Sequence, residues 1–163
     1  MDANAHDLFV RYAEAVYRYF LRLTGRADLA SDLTQEVFLR IVRGVGRYEA
    51  RGREAAWVFR IAHSVLAANY RHTSKPAEVS LSEAGTVAYE PDRLLAIGFE
   101  EALGLLSRTD RQVYLLREQG GLDYEEIGTL CGLTKPAVRS RLCRARDLIR
   151  RRLGGRVSAK SDD

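Results

Sequence analysis

The chain has 163 residues, 26 basic against 22 acidic, a net charge of +4, 46% hydrophobic content and two cysteines. That length fits one ordinary domain or two small ones with a packed core, and two thiols are too few for a disulfide framework. No apolar run reaches the roughly 20 residues that span a bilayer, and the N-terminal MDANAHD lacks a basic or apolar leader, so a soluble cytoplasmic protein without membrane insertion is expected. Charge is unevenly placed: residues 1–72 sum to +3, 73–100 to −3 and 101–163 to +4. Two basic segments around an acidic one predict two modules, a linker and a shared polyanionic partner. Cys131 and Cys143 lie twelve apart without a nearby His, which matches no zinc spacing, so no metal and no cofactor are expected.

Strand signals are nearly absent and helical periodicity recurs. The expected fold is all-α, two small helical domains joined by a flexible linker. Asp7 to Thr24 carries a stripe of Leu8, Val16, Phe20 and Leu23, supplemented by Tyr12 and Tyr19, and Gly25 stops it. Asp28 is a plausible N-cap for a second helix ending near Gly44. On that helix Leu29, Ala30, Leu33, Val37 and Ile41 share one face, while Asp32, Gln35, Glu36 and Leu39 share the other and Phe38 lies between them. Taken alone, the polar face reads as a solvated surface.

GVGRYEARGR, from Gly44 to Arg53, holds three glycines and reads as a loop. A third helix follows from Glu54 to Arg71, with Val58, Ile61, Ala62 and Val65 on one side. Arg47, Tyr48, Arg51, Arg53, Trp57, Phe59 and Arg60 interleave arginines with aromatics, a pattern suited to single-stranded DNA: charge tracks the backbone and rings accept unstacked bases. Trp57 alone reads more readily as core, and Tyr48, in a basic Gly-rich loop, is the better candidate for exposure. Periodicity turns His63 towards solvent, either idle or touching DNA.

Residues 73–92 lose the pattern to Ser, Pro, Glu and Gly and read as the linker. Helices resume at Arg93 to Leu106, Asp110 to Glu118, Tyr124 to Cys131 and Lys135 to Leu153, and the tail 154–163 is expected to be disordered. Asp123 with Glu126 forms a capping-box start, and Gly132 supplies the left-handed residue that closes the short helix. Thr134 caps the next helix, where Pro136 is tolerated in the first turn. Val138, Leu142, Ala145, Ile149 and Leu153 recur three and four apart as the buried stripe. Arg139, Ser140, Arg141, Arg144 and Arg146 project away from it. Nine basic residues against one acidic, Asp147, occupy Lys135 to Arg156. A solvated basic face is the simple alternative, but a short helix, a tight turn and a capped basic helix together make a helix-turn-helix, whose second helix suits the DNA major groove.

LDYEEIGTLCGLTKPAVRSRLCRARDLIRRRL resembles the promoter −35-reading region of bacterial sigma factors of the extracytoplasmic-function group. ADLASDLTQEVFLRIVRG is similar to that family's core-polymerase-binding helix, and EAAWVFRIAHSVLAANYRH resembles its −10-reading helix. The match runs from about Leu8 to Leu153 in the family's order. Pro136 and Ala137 stand where the family usually shows Gly then Thr, and Ser64 and Asn69 where it favours Asn and Asp.

The resemblance implies a transcription initiation factor with four parts. Residues 1–72 would form sigma domain 2, which binds core polymerase and reads and melts the −10 element; 73–92 the linker; 93–153 sigma domain 4, which reads −35; and 154–163 the tail. It places −35 contacts at Thr134, Lys135, Pro136, Arg139, Ser140, Arg141, Arg144 and Arg146. It places −10 contacts at Arg47, Tyr48, Arg51, Arg53, Trp57, Arg60 and His63. Core docking falls on Asp32, Gln35, Glu36, Phe38 and Leu39. The implied partners are the β′ and β subunits of core RNA polymerase, promoter DNA and an anti-sigma factor. A stand-alone helix-turn-helix regulator would not need the Asp32–Leu39 face. An enzyme is disfavoured, since the chain has no P-loop, no G-x-S-x-G and only His6, His63 and His72 as histidines.

Overall fold

Asn4 starts the first helix by accepting the His6 amide at 3.2 Å. The stripe of Leu8, Val16, Tyr19, Phe20 and Leu23 then buries one face. This helix, α1 (Ala5–Thr24), ends at Gly25, whose φ of 67° lets its amide reach the Leu21 carbonyl. The computed structural model describes residues 4–48, 52–72 and 90–157. After α1 come α2 (Ala27–Gly44), a 3₁₀ turn (Val45–Arg47), α3 (Glu54–His72), α4 (Glu90–Leu105), α5 (Arg108–Glu118), α6 (Tyr124–Cys131) and α7 (Lys135–Val157). Among the described residues all regular structure is helical.

Several helix ends shift by one or two residues from the sequence reading, and three boundaries differ for an identifiable reason. Arg26, not Asp28, is the N-cap of α2, because the Thr24 hydroxyl accepts the Arg26 amide at 3.3 Å and turns the chain back into helix early. Asp28 sits in the first turn, paired with Arg26 at 2.8 Å, where a negative charge suits the positive end of the helix. Helix α4 begins at Glu90, so residues 90–92 are helical and Pro91 occupies the first turn, where its missing N–H costs nothing. The rest of the expected linker, 73–89, lies outside the described residues. At the other end α7 continues to Val157, correcting the expectation of disorder over Gly154–Val157. Leu153 packs against the core and holds the last turns of the stripe; residues 158–163 lie outside the described set.

Helices α1, α2 and α3 pack on one another, and α4, α5 and α6 gather around α7. These two groups share one continuous apolar cluster, with Tyr19 and Phe59 from the first group and Leu116, Leu122 and Ile127 from the second all below 2% exposed. Each such side chain contributes about 1.5–3 kcal/mol through burial. Arg111 ties the seam together. It is 6% exposed, and its guanidinium donates to the carbonyls of Leu103 (2.9 Å), Leu106 (3.2 Å) and Gly104 (3.4 Å) and, across the seam, to that of Arg22 (3.1 Å). Arg22 in turn donates to Glu100 at 2.8 and 3.0 Å, and the Arg108 guanidinium lies 3.3 Å above the Tyr70 ring.

Candidate nucleic-acid and polymerase interfaces

The helix-turn-helix is built by local chemistry. Asp123 Oδ1 accepts the Glu126 amide at 2.8 Å and Glu126 Oε2 accepts the Asp123 amide at 2.9 Å, a complete capping box for α6. Gly132 ends the helix at φ 68°. Gly128, which the sequence reading passed over, is equally necessary. A Cβ there would lie 2.6 Å from the Leu133 carbonyl oxygen, so only glycine lets the turn fold back onto α6. Thr134 Oγ1 accepts the Ala137 amide at 3.3 Å and starts α7. Val138, Leu142, Ala145 and Ile149 are buried, which fixes the orientation of the opposite face.

On that face Thr134, Lys135, Pro136, Arg139, Ser140 and Arg144 are exposed. Arg139 and Arg144 make no ion pair among the described residues. Arg141 and Arg146 do not project freely as the periodicity suggested. Both are half-buried, because α5 presents carboxylates within their reach: Arg141 bonds Asp110 at 2.7 Å, and Arg146 bonds Glu118 at 2.7 and 3.0 Å. The free chain therefore offers Arg139 and Arg144 to a polyanion first.

The arginine–aromatic group around α3 divides more sharply. Arg47 is exposed, and Arg51 lies outside the described residues. Tyr48 and Trp57 are both half-buried and stack on each other, ring centroids 4.5 Å apart at 29°. Tyr48 is therefore not free in solvent, and Trp57 packs against the edge of the core while sharing this plate. Arg53 and Arg60 reach the Glu126 carboxylate at 2.5 and 2.9 Å. His63 corrects the periodicity outright: it is 8% exposed, because α6 lies over it, and its Nε2 donates to the Leu130 carbonyl at 3.0 Å. Burial holds its imidazole below the ordinary value, opposed by that hydrogen bond. Nearby Cys131, a free thiol, is pushed up to about 11 by burial and stays neutral.

On α2, Ala30, Leu33, Val37, Phe38 and Ile41 are buried, whereas Asp32 and Gln35 are exposed and Leu39 is 52% exposed. Glu36 is half-buried against Arg40 at 2.9 Å. Phe38 meets Phe9 of α1 edge-on with centroids 5.0 Å apart, and Phe9, Leu39 and Val42 leave an apolar patch beside the acidic groups. Phe9 was not singled out from the sequence; a lone exposed aromatic carries no signal until α2 is packed beside it. Among the described residues no cluster of His, Cys, Asp or Glu could hold a metal ion, and no helix is long and apolar enough to cross a membrane.

Residues 8–75 match the model of sigma-70 region 2, and residues 98–149 match that of sigma-70 region 4. The chain is 31% identical to the RNA polymerase sigma factor CarQ of Myxococcus xanthus over 153 residues, covering 91% of this chain and 88% of CarQ. It belongs to the extracytoplasmic-function group of RNA polymerase sigma factors. EcfG of Rhodopseudomonas palustris, of the same group, is 30% identical over 132 residues, with 78% of this chain and 73% of the relative covered. In fold this sigma factor resembles RpoE of Bartonella quintana, solved with the anti-sigma factor NepR. The TM-score is 0.64 at 23% identity, with 95% and 96% of the two chains covered. CnrH, solved with the cytosolic domain of CnrY, gives a TM-score of 0.57 at 22% identity over 96% and 89%. As a sigma factor the chain binds core RNA polymerase and promoter DNA and directs promoter-specific initiation. The helix-turn-helix lies within the region 4 match, and the Tyr48–Trp57 plate and the α2 face lie within region 2.

Proposed function

We propose that this sigma factor divides its work between residues 1–72 and 93–153. The exposed face of α7, from Thr134 through Arg144, enters the −35 major groove, with Arg139 and Arg144 reading bases or phosphates and Arg141 and Arg146 joining once their α5 partners release them. Arg47, the Tyr48–Trp57 plate, Arg51, Arg53 and Arg60 hold the opened −10 strand. Asp32, Gln35, Glu36 and Leu39, with Phe38 beneath them, dock a basic, partly apolar surface of the polymerase β′ subunit. The chain itself makes and breaks no covalent bond, works in the cytoplasm beside the polymerase, and is held in check by an anti-sigma factor, by analogy with RpoE bound to the anti-sigma factor NepR.

The observation that carries this reading is the pairing of a complete capped helix-turn-helix with a separate acidic–apolar face on α2, which a stand-alone DNA-binding regulator has no use for. Transcription reconstituted with purified core polymerase on genomic DNA, with start sites mapped, tests it. The expected result is starts at a small set of promoters sharing one −35 and one −10 sequence. Binding to duplex DNA without any core-dependent starts would overturn it.

A further inference from the structure

Glu126 is placed to do two things at once. Its Oε2 closes the capping box on the Asp123 amide, and its two carboxylate oxygens also receive Arg53 and Arg60, more than sixty residues away in sequence. Its side chain is 17% exposed, whereas those of Arg53 and Arg60 are 46% and 45% exposed. Burial alone would raise its carboxyl group, but the hydrogen bonds from Arg53 and the Asp123 amide and the charges of Arg53 and Arg60 outweigh it and hold it below the ordinary value. One turn further along α6, the Leu130 carbonyl takes the His63 imidazole. Before α6, the backbone passes so close to α3 that a Cβ on Gly120 would lie 3.0 Å from that of Phe59. Helix α6 and the turn before it therefore meet α3 and its approach at Arg53, Phe59, Arg60 and His63, engaging the guanidinium groups of two residues assigned to the −10 strand and burying a third, His63.

We propose that this face of α3 has two competing occupants, helix α6 of the same chain and single-stranded DNA, with the Glu126 carboxylate standing where a phosphate would bind. The proposal rests on the −10 reading of Arg53 and Arg60. A guanidinium bonded to a carboxylate offers fewer of its N–H donors to phosphate, and no nucleotide reaches His63 while α6 covers it. The free chain is closed, and its affinity for a single strand is reduced by the fraction of molecules that are open. Separating the helix-turn-helix from α3, which the proposed engagement of α7 at −35 and α3 at −10 requires, uncovers the strand-binding face at the moment it is needed.

The test uses the full chain and the Glu126→Gln variant, which keeps a capping-box acceptor but loses the charge. Small-angle scattering reports the radius of gyration, and a short fluorescein-labelled single strand of random sequence reports binding. The expected results are a larger radius for Glu126→Gln and tighter binding of the strand by roughly three- to tenfold, the scale set by a carboxylate–guanidinium network shifting a two-state equilibrium. Saturating the unaltered chain with the same strand should also enlarge its radius, a readout that needs no variant. Identical scattering from both proteins, or an unaltered chain that stays compact when saturated, overturns the proposal. So does a variant that opens without binding the strand more tightly. Failure of the −10 reading itself looks different: adding Arg53→Ala and Arg60→Ala to Glu126→Gln would leave strand affinity unchanged.

Discussion

Arg141 of α7 holds Nη1 2.7 Å from Oδ1 of Asp110 on α5, so an arginine on the recognition helix serves the free chain as a strut. Arg139, two residues earlier, is exposed and makes no ion pair among the described residues. Replacing Arg139 with Ala should weaken binding to the −35 duplex by about 1–3 kcal/mol and leave the urea midpoint unchanged. Replacing Arg141 should lower stability by about 0.5–1 kcal/mol, a small cost for a pair 30% and 17% exposed, and weaken DNA binding less than the Arg139 change. Urea melts and gel-shift titrations of both variants check the contrast; greater DNA loss from Arg141→Ala at constant stability would reverse the roles.

The α2 face gives a second prediction. Leu39 is 52% exposed on the helix that carries the exposed Asp32 and Gln35, so Leu39→Arg or Asp32→Arg alters the proposed docking surface and not the core. Each should reduce pull-down of core polymerase at least tenfold, a loss on the hot-spot scale of about 1.4 kcal/mol or more, while helicity and thermal midpoint stay within error. Phe9→Ala removes the ring packed edge-on against Phe38 and should weaken docking to a smaller degree. Undiminished capture of core enzyme by all three variants would remove this face from the interface.

Arg111 is a structural arginine. Truncating it to Ala would orphan the carbonyls of Leu106 and Arg22 near the seam and take from Leu103 one of its two donors, the Leu106 amide remaining. Buried unsatisfied groups cost roughly 1–3 kcal/mol each, so a loss of about 2–4 kcal/mol in unfolding free energy is expected. Chemical denaturation measures it, and a change below about 1 kcal/mol would mean that water replaces the guanidinium.

The seam should also respond to acid. Burial depresses His63, so the unfolded imidazole takes up a proton at a higher pH than the folded one. The stability contributed by neutral His63 is complete above about pH 6.5 and is lost as pH falls from there through the lower folded value. The carboxylate Glu126, whose folded value is itself depressed, contributes its loss only at lower pH, below about 4.5. His63→Gln keeps a donor for the Leu130 carbonyl but does not titrate. Urea midpoints of the parent chain should fall between pH 7 and pH 5 relative to this variant; parallel curves would show that protonated His63 is accommodated without cost.

The helix-turn-helix was legible in the sequence because its determinants are local. Asp123 and Glu126 lie three residues apart, Gly132 and Thr134 bracket the turn, and Val138 to Ile149 repeat at helical spacing. The interior stripe of α2 was legible for the same reason. What escaped depends on contacts between residues far apart in the chain. His63 turns towards solvent on an isolated helix, and it is buried only because α6 comes to rest on it. Arg111 looks like any surface arginine until four carbonyls converge on it, and Glu126 reads as a capping residue until Arg53 and Arg60 arrive. The pairing of Arg141 and Arg146 with α5 was hidden similarly, since periodicity assigns a face and not the partner that occupies it.

The division of labour between the two modules is the central claim, and footprinting tests it most directly. Core polymerase loaded with the parent chain, with Arg139→Ala, or with the Tyr48→Ala/Trp57→Ala double variant is placed on one mapped promoter. DNase protection is read over −35 and permanganate reactivity of unpaired thymines over −10. The double variant, which removes the stacked plate, should keep −35 protection and lose most permanganate reactivity. A pre-melted template should restore part of its transcription. Arg139→Ala should lose −35 protection and gain nothing from pre-melting. Permanganate reactivity from the double variant equal to that of the parent, with −35 protection intact, would contradict the account and place strand opening elsewhere in the chain.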